Sequence, residues 1–364
     1  MAISDECSVV KNVNKNRKAL RIKRMKLSLS SPTSKLKEKW KLVKISFLSL
    51  TYNSHFSANY VFDTLIEPGI WFIDTFLQFI GPLFVTGVIT LTFSVIFIAW
   101  FVGLPYYLTH YNLIYVIFVV CLGNYLKLNI VFYYYKAFTT HPGKIPSQAD
   151  EIKQISSICK KCIHPKPPRT HHCSVCDKCI LKMDHHCPWI NGCVGHFNHR
   201  YFFLYMVSMV LGCFYVMLFG FEIFYDEIMN PSLKENQEFY ILDRRNLIIY
   251  EAFIATGTFL ILGGLMIWHA KLIHRGQTSI EAHINKSEAM RLKKLGKKYR
   301  NPYDFGTWHN WSLFLGLIQG RKWTSLLWPS SYLPKGDGLE WDTIYSCDIQ
   351  WNDDFIPIDL TKLA

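Results

Sequence analysis

Seven of the eleven cysteines lie between Cys159 and Cys193, interleaved with histidines, and this is the stretch whose residue types could do chemistry. It reads Cys159-x2-Cys162, then His171-His172-Cys173-x2-Cys176-x2-Cys179, then Asp184-His185-His186-Cys187, then Cys193. Cysteines two residues apart form a knuckle in which two thiolates grip one tetrahedral zinc, and a closed structural site needs four such sulfur or nitrogen ligands. Two sites would take eight ligands, which six cysteines and two histidines fill, so one cysteine has no structural work. Spacing alone does not say which one. Cys187 stands beside two histidines and an acid, surroundings in which a thiol becomes a nucleophile.

In this frame Asp184-His185-His186-Cys187 resembles the signature of the DHHC protein S-acyltransferases, or palmitoyltransferases. Their pattern of Cys-x2-Cys, His-Cys-x2-Cys-x2-Cys, Asp-His-His-Cys and a last Cys six residues on is met without a gap. The resemblance implies two interleaved zinc sites, neither including the nucleophile. Carried onto this chain, one is Cys159, Cys162, His172 and Cys179, and the other is Cys173, Cys176, His186 and Cys193. It further makes Cys187 the acyl-accepting nucleophile, His185 its base and Asp184 the group that holds the imidazole. Palmitoyl-CoA would be the acyl donor, cysteines of membrane-associated proteins the acceptors, and nucleic acid no partner.

These residues have to be positioned by something, and composition says what. The chain of 364 residues has room for two soluble domains, yet 50% of it is hydrophobic and 16% aromatic, which points to a membrane protein. The expected fold is an α-helical polytopic membrane protein, with four transmembrane helices and a cytosolic cysteine-rich domain binding two zinc ions between spans two and three. A metal-ligand spacing, as opposed to disulfides, also calls for a reducing compartment. The formal net charge of +13 suits an anionic membrane surface or ligand as well as nucleic acid, and its distribution decides between them.

Residues 1–45 are rich in Lys and Arg without an apolar signal-peptide core, and read as a flexible basic tail. Residues 46–76 suggest an interfacial segment, broken at Glu67-Pro68-Gly69. Spans one and two occupy 77–136, as Leu77–Leu104, a short turn over Pro105–Tyr111, and Asn112–Tyr135, each span long enough at 1.5 Å per residue to cross about 30 Å of hydrocarbon. Lys127 lies within the second and should face the bundle interior or snorkel. The cysteine-rich domain follows at 137–200, then spans three and four in 201–270 (Tyr201–Phe224 and Leu247–Trp268), a carboxy-terminal domain at 271–335 and an acidic tail, 336–364, that carries no motif and is read as mobile. Lys and Arg accumulate in the tail, in Lys136–Arg200 and in Lys271–Arg300, whereas the loop with Asp226, Glu227, Glu235, Glu238 and Asp243 is net acidic. Both termini and the cysteine-rich domain are therefore expected on the cytosolic side.

With spans on either side, Cys187 should sit at the membrane surface, where a thioester can react while its acyl chain stays in an apolar cavity between the helices. Exposing a sixteen-carbon chain would cost roughly ten kcal/mol, at about 0.8 kcal/mol per CH2, so chain burial should dominate lipid binding. Arg169, Lys178, Lys182 and Arg200 are candidates for the CoA phosphates, although charges solvated at a negative membrane face would explain each equally. In relatives the residue twenty-five after the nucleophile helps close the cavity, and here it is Gly212, which predicts depth for chains of sixteen carbons or more. Close helix packing is the competing use of such a small residue.

Other landmarks of the resemblance fit with departures. Thr278-Ser279-Ile280-Glu281 stands where Thr-Thr-x-Glu is usual, keeping the hydroxyl. His141-Pro142-Gly143 replaces Asp-Pro-Gly, which leaves the role of the acid open. Asn301-Pro302-Tyr303-Asp304-Phe305-Gly306 and Asn310-Trp311 resemble the carboxy-terminal motif. These variants are similar to a branch of animal enzymes of the endoplasmic reticulum, with the Golgi as second choice. The sequon Asn310-Trp311-Ser312 must stay unmodified if it is cytosolic. The alternative function is a membrane-tethered zinc module that binds protein or nucleic acid without catalysis, which leaves the spare Cys187 beside His185 unexplained.

Overall fold

The computed structural model describes residues 32–52, 58–148, 152–229, 243–317 and 321–346. The chain divides into two units, Met1–Phe76 and Leu77–Ala364. Helix α1 covers Pro32–Tyr52, so the basic segment expected to be a flexible tail is helical from Pro32 onward, and its earlier residues lie outside the described ones. Helix α2 (Ala58–Ile98) runs through Glu67-Pro68-Gly69 without the expected break. A proline deletes one donor but does not oblige a helix to stop, and in apolar surroundings a broken backbone costs more than one missing bond.

Beyond α2, a π-helical turn over Ala99–Gly103 leads directly into α3 (Leu104–His110). The turn expected at Pro105–Tyr111 is thus mostly helix. The wide turn, closed by the Leu104 N–H on the Ala99 carbonyl, takes up the strain that the Pro105 ring would place on a regular helix. The chain reverses at Tyr111, and Asn112 starts α4 (Leu113–Thr139), its side chain accepting the Tyr115 N–H at 2.9 Å.

Three antiparallel hairpins follow, β1 (Ser157–Cys159) with β2 (His164–Lys166), β3 (His171–Cys173) with β4 (Lys178–Ile180), and β5 (His185–Cys187) with β6 (Gly192–Val194). Strands of three residues do not hold together unaided, so what fastens their ends matters more than their ladders. Helix α5 (His199–Met229) leaves the third hairpin and packs against α4 and against α6 (Arg244–His274). Its start is fixed by Asn198, which accepts the Gly195 N–H at 2.8 Å and donates to the carbonyls of Cys193 at 2.9 Å and Ala137 at 3.3 Å. Helices α7 (Ser279–Lys294) and α8 (Thr307–Leu315) follow, and a short 3-10 turn over Trp323–Leu326 comes after them. Leu65–His110, Leu113–Thr139, His199–Met229 and Arg244–His274 are each long and apolar enough to cross a membrane.

The acidic end differs from expectation. Residues 336–346 are not a free tail: Trp341 packs on Arg169, the Gly336 carbonyl lies 3.2 Å from His196 Nε2, and the Ile344 N–H donates to the Pro302 carbonyl at 2.9 Å. Residues 347–364 lie outside the described ones.

Candidate active site

The hairpins bring the cysteines together as two clusters, Cys159, Cys162, His172, Cys179 and Cys173, Cys176, His186, Cys193. In each, a knuckle at the end of one hairpin meets a cross-strand pair of the next, His172 opposite Cys179 and His186 opposite Cys193. His172 Nδ1 lies 3.6, 3.3 and 3.8 Å from the sulfurs of Cys159, Cys162 and Cys179. His186 Nδ1 lies 3.7, 3.3 and 3.6 Å from those of Cys173, Cys176 and Cys193. Ligands on one tetrahedral zinc stand roughly 3.5–3.8 Å apart, so three sulfurs and a nitrogen at these separations fit the ion. Backbone N–H groups of Cys162 and Cys176 donate to the sulfurs of Cys159 and Cys173, both at 3.3 Å, as a thiolate knuckle requires.

The two ligand sets repeat with a shift of fourteen residues, and the period continues into the third hairpin. Cys159, Cys173 and Cys187 each end the first strand of a hairpin, and the following turns use left-handed Ile163, Asp177 and Asn191 at φ 51°, 50° and 45°. The second knuckle position is Cys162, Cys176 and then Ile190. Cys187 is therefore a knuckle cysteine whose partner has been replaced by an apolar residue.

Cys187 is only 5% exposed and packs with Ile190, Tyr133, Tyr201 and Met206 where the third hairpin meets the helices. With His185 it lines one end of a cavity of about 850 Å³ that runs between the helices past Trp100, Ile130 and Gly212. That volume is toward the upper end of the roughly 300–1,000 Å³ of ligand pockets. Of the lining residues, Trp189 is held by Tyr134, which donates to its carbonyl at 3.0 Å, and by Phe84, which meets its ring edge-on. Lys127 faces inward, donating to Asn124 at 2.6 Å and lying 5.8 Å from the Trp100 ring centre.

His185 Nδ1 is 2.6 Å from Asp184 Oδ2, which orients the ring and leaves its other face toward the thiol of Cys187. Burial would lower the pKa of this imidazole, but the hydrogen bonds with Asp184 and with Cys187 raise it to about 9. Asp184 is itself fully buried. Burial opposes its charge, and the neighbouring imidazoles, His199 first and then His185, hold the carboxyl below its usual range. Sequence reading missed its other anchors: the N–H of Ser279 donates to Oδ1 at 2.8 Å and the Ser279 hydroxyl to Oδ2 at 2.9 Å. Thr278 and Glu281 form a reciprocal capping box on α7, which sets Ser279 in that place. The T-x-x-E spacing alone could have signalled a helix start there.

Two CoA-phosphate candidates are corrected by their surroundings. Arg169 is buried in a bidentate pair with Glu281, at 2.6 and 2.7 Å, between the rings of Tyr303 and Trp341. Arg200 is buried too, donating to the Tyr332 carbonyl at 2.9 Å and to Ser330 at 3.0 Å. Both arginines serve as internal struts. Lys182 is half-buried beside Trp341, and burial lowers its pKa to about 7, while Lys178 is exposed. At His141 the imidazole Nδ1 accepts the Gly143 N–H at 3.0 Å, a bond that a carboxylate in that place would make equally well. Asn310 is buried with its amide spent on Asp304, Phe305 and His274, so an unmodified sequon would not report on topology.

Membrane-crossing helices around an apolar cavity, a cysteine-rich insertion and a thiol–imidazole–carboxylate set define the class of protein. Residues 152–286 match the model of the DHHC palmitoyltransferase family, and the chain belongs to that family. Palmitoyltransferase ZDHHC16 of Mus musculus is 44% identical over 313 residues, covering 84% of this chain and 86% of its own. Palmitoyltransferase ZDHHC16A of Danio rerio is 39% identical over 341 residues, covering 82% and 88%. Probable protein S-acyltransferase 16 of Arabidopsis thaliana is 37% identical over 207 residues, covering 52% and 70%. The chain is thus a multi-pass membrane enzyme with protein S-acyltransferase activity, whose cysteine and histidine clusters are able to bind zinc.

Proposed function

We propose that this chain moves a palmitoyl group from palmitoyl-CoA, by way of an acyl-Cys187 intermediate, onto cysteines of membrane-proximal proteins on the cytosolic side of the endoplasmic reticulum. The observation that carries this reading is Cys187 itself, a cysteine outside both four-ligand clusters, facing the Asp184–His185 pair at one end of an apolar cavity. In the first step the Cys187 sulfur attacks the thioester carbonyl, the bond to the CoA sulfur breaks, and the leaving thiolate takes the proton held on His185. His185 then stands neutral beside a thioester. In the second step a substrate thiol passes its proton to His185 and attacks the acyl carbonyl, which returns Cys187 as a thiolate beside a protonated imidazole. Asp184 acts throughout by keeping the Nδ1–H of His185 directed at itself.

Two zinc ions, one per Cys3His cluster, would stiffen the hairpins and supply no open coordination position to the reaction. Within the assigned regions, 137–200 is the catalytic cysteine-rich domain, 77–136 and 201–270 hold the spans, and 271–335 braces the site through Ser279. Basic loops on the side of the cysteine-rich domain support its cytosolic placement. Lys178 remains a candidate for the CoA phosphates, and so does Lys182. Gly212 supports a deep cavity, because Val216, Gly220 and Ile223 line it further along α5. Labelling with an alkynyl palmitate tests the proposal: a hydroxylamine-sensitive signal on this chain should vanish in Cys187→Ser. A signal that persists there would remove Cys187 from the mechanism.

A further inference from the structure

One cluster of metal-ligating side chains has no part in the two steps above except through Asp184. His199 in the first turn of α5 and His269 in the last turns of α6 converge on that carboxylate, and the three ligand atoms lie within 4.8 Å of one another. His199 Nε2 is 3.9 Å from Oδ1, and His269 Nδ1 is 4.0 Å from Oδ2. Asp184, His199 and His269 are 1%, 3% and 2% exposed. Both ring nitrogens of His199 and the Nδ1 of His269 are buried with no hydrogen-bond partner among the described residues. Folds seldom bury imidazole nitrogens in this way without giving them something to bind.

We infer that Asp184, His199 and His269 form a third metal site, which takes Zn2+ or a similar divalent first-row ion and lowers acyl transfer when filled. Two imidazoles and a carboxylate are a common zinc donor set, and contain no sulfur. Nitrogen and oxygen ligands on one tetrahedral zinc stand roughly 3.3 Å apart, so closing the site needs ligand atoms that now stand up to 4.8 Å apart to draw together by about half an ångström to one and a half. With three protein ligands in place of four, and no thiolate, the site should exchange its ion where the Cys3His clusters hold theirs. Occupancy would draw Asp184 Oδ2 away from the Nδ1–H of His185, now 2.6 Å distant, and place positive charge beside that ring. The inhibitory half of the inference rests on the proposed roles of His185 and Cys187. The binding half does not.

The test uses the full-length chain in detergent micelles. Metal content per chain is measured at saturating Zn2+ for wild type, His269→Gln and His199→Asn, and Co2+ is titrated separately into protein dialysed until only two zinc ions per chain remain. Wild type should hold one ion more than either variant. Its added Co2+ should show no thiolate-to-metal charge-transfer band, and Zn2+ should inhibit Cys187 acylation with a midpoint raised roughly tenfold or more in His269→Gln. Equal metal content in wild type and variants would overturn the site, and an unmoved midpoint would overturn the inhibition. Variants that lose their Cys3His ions are set aside as misfolded, and the wild-type cobalt titration decides alone: an added ion without the band supports the site, and none defeats it. If acylation of Cys187 is absent altogether, the function fails while metal content still answers for the site.

Discussion

At the scale of single residues, the reactive set combines a short-range arrangement with a long-range one. Asp184, His185 and Cys187 are neighbours in sequence, and their types and order point to Cys187 as the proposed nucleophile. What was hidden is the support around them, because Ser279 and His269 reach Asp184 from far along the chain and no local pattern announces such contacts. The fourteen-residue repeat of ligands was in the sequence throughout, and it singles out Cys187 by the replacement of its knuckle partner with Ile190. His185→Ala should slow acyl transfer by about 10²–10⁴, the usual contribution of a positioned acid–base group, while a zinc assay finds both Cys3His clusters filled. Loss of zinc together with activity would instead make His185 structural. Gly212 is a second residue-scale case. A Cβ built there would stand 2.7 Å from Ile130 Cδ1 at the cavity wall, so packing and chain length compete for the same space. Gly212→Tyr should shift preference toward acyl-CoA shorter than sixteen carbons, read from competition among chain lengths. An unchanged profile would leave helix packing as the only use of that glycine.

At the scale of elements, hydropathy located the four helices because each carries a long apolar run, but local breaker signals misled at their ends. A rule suited to water, where a freed carbonyl finds a solvent partner, reads Pro68 and Pro105 as breaks or turns. In apolar surroundings the helix continues instead, by omission of one bond at Pro68 and through a π-helical turn ahead of Pro105. The hairpins are the opposite case, for hydropathy and periodicity say nothing about strands of three residues. Their ladders are too short to persist alone, so the Cys3His clusters must hold them. Metal removal by a strong chelator should therefore open residues 152–198 to limited proteolysis and abolish acylation, while far-UV circular dichroism retains the helical signal. Resistance to protease after zinc loss would mean that packing against the helices suffices.

At the scale of the whole molecule, the cysteine-rich domain, α7 and the acidic end of the chain are joined at one buried cation. Arg169 pairs with Glu281, donates to the Gly276 carbonyl at 3.0 Å and lies between Tyr303 and Trp341, with ring centres 4.2 and 4.6 Å away. An arginine in a basic segment looks like a phosphate ligand, and a tail rich in Asp looks mobile, because these partners are more than a hundred residues from Arg169 and composition carries no record of pairing. Breaking one side of a buried pair leaves an uncompensated charge and typically costs 3–5 kcal/mol, far more than an exposed ion pair. Glu281→Gln should therefore lower the thermal unfolding midpoint at neutral pH by several degrees, and Trp341→Ala by less, since a buried cation–π contact is worth about 2 kcal/mol. Burial alone would raise the pKa of Glu281, but the Arg169 charge and its hydrogen bonds lower the net value, so the folded pKa lies below the unfolded one, about 4.3. The carboxylate's contribution is then complete above that unfolded value and is lost as pH falls through the folded one. The gap between wild type and Glu281→Gln should hold constant from pH 7 to about 5 and narrow only in stronger acid. A gap that is the same at every pH would mean that the amide disturbs packing and that the Arg169 pair contributes nothing through its charge.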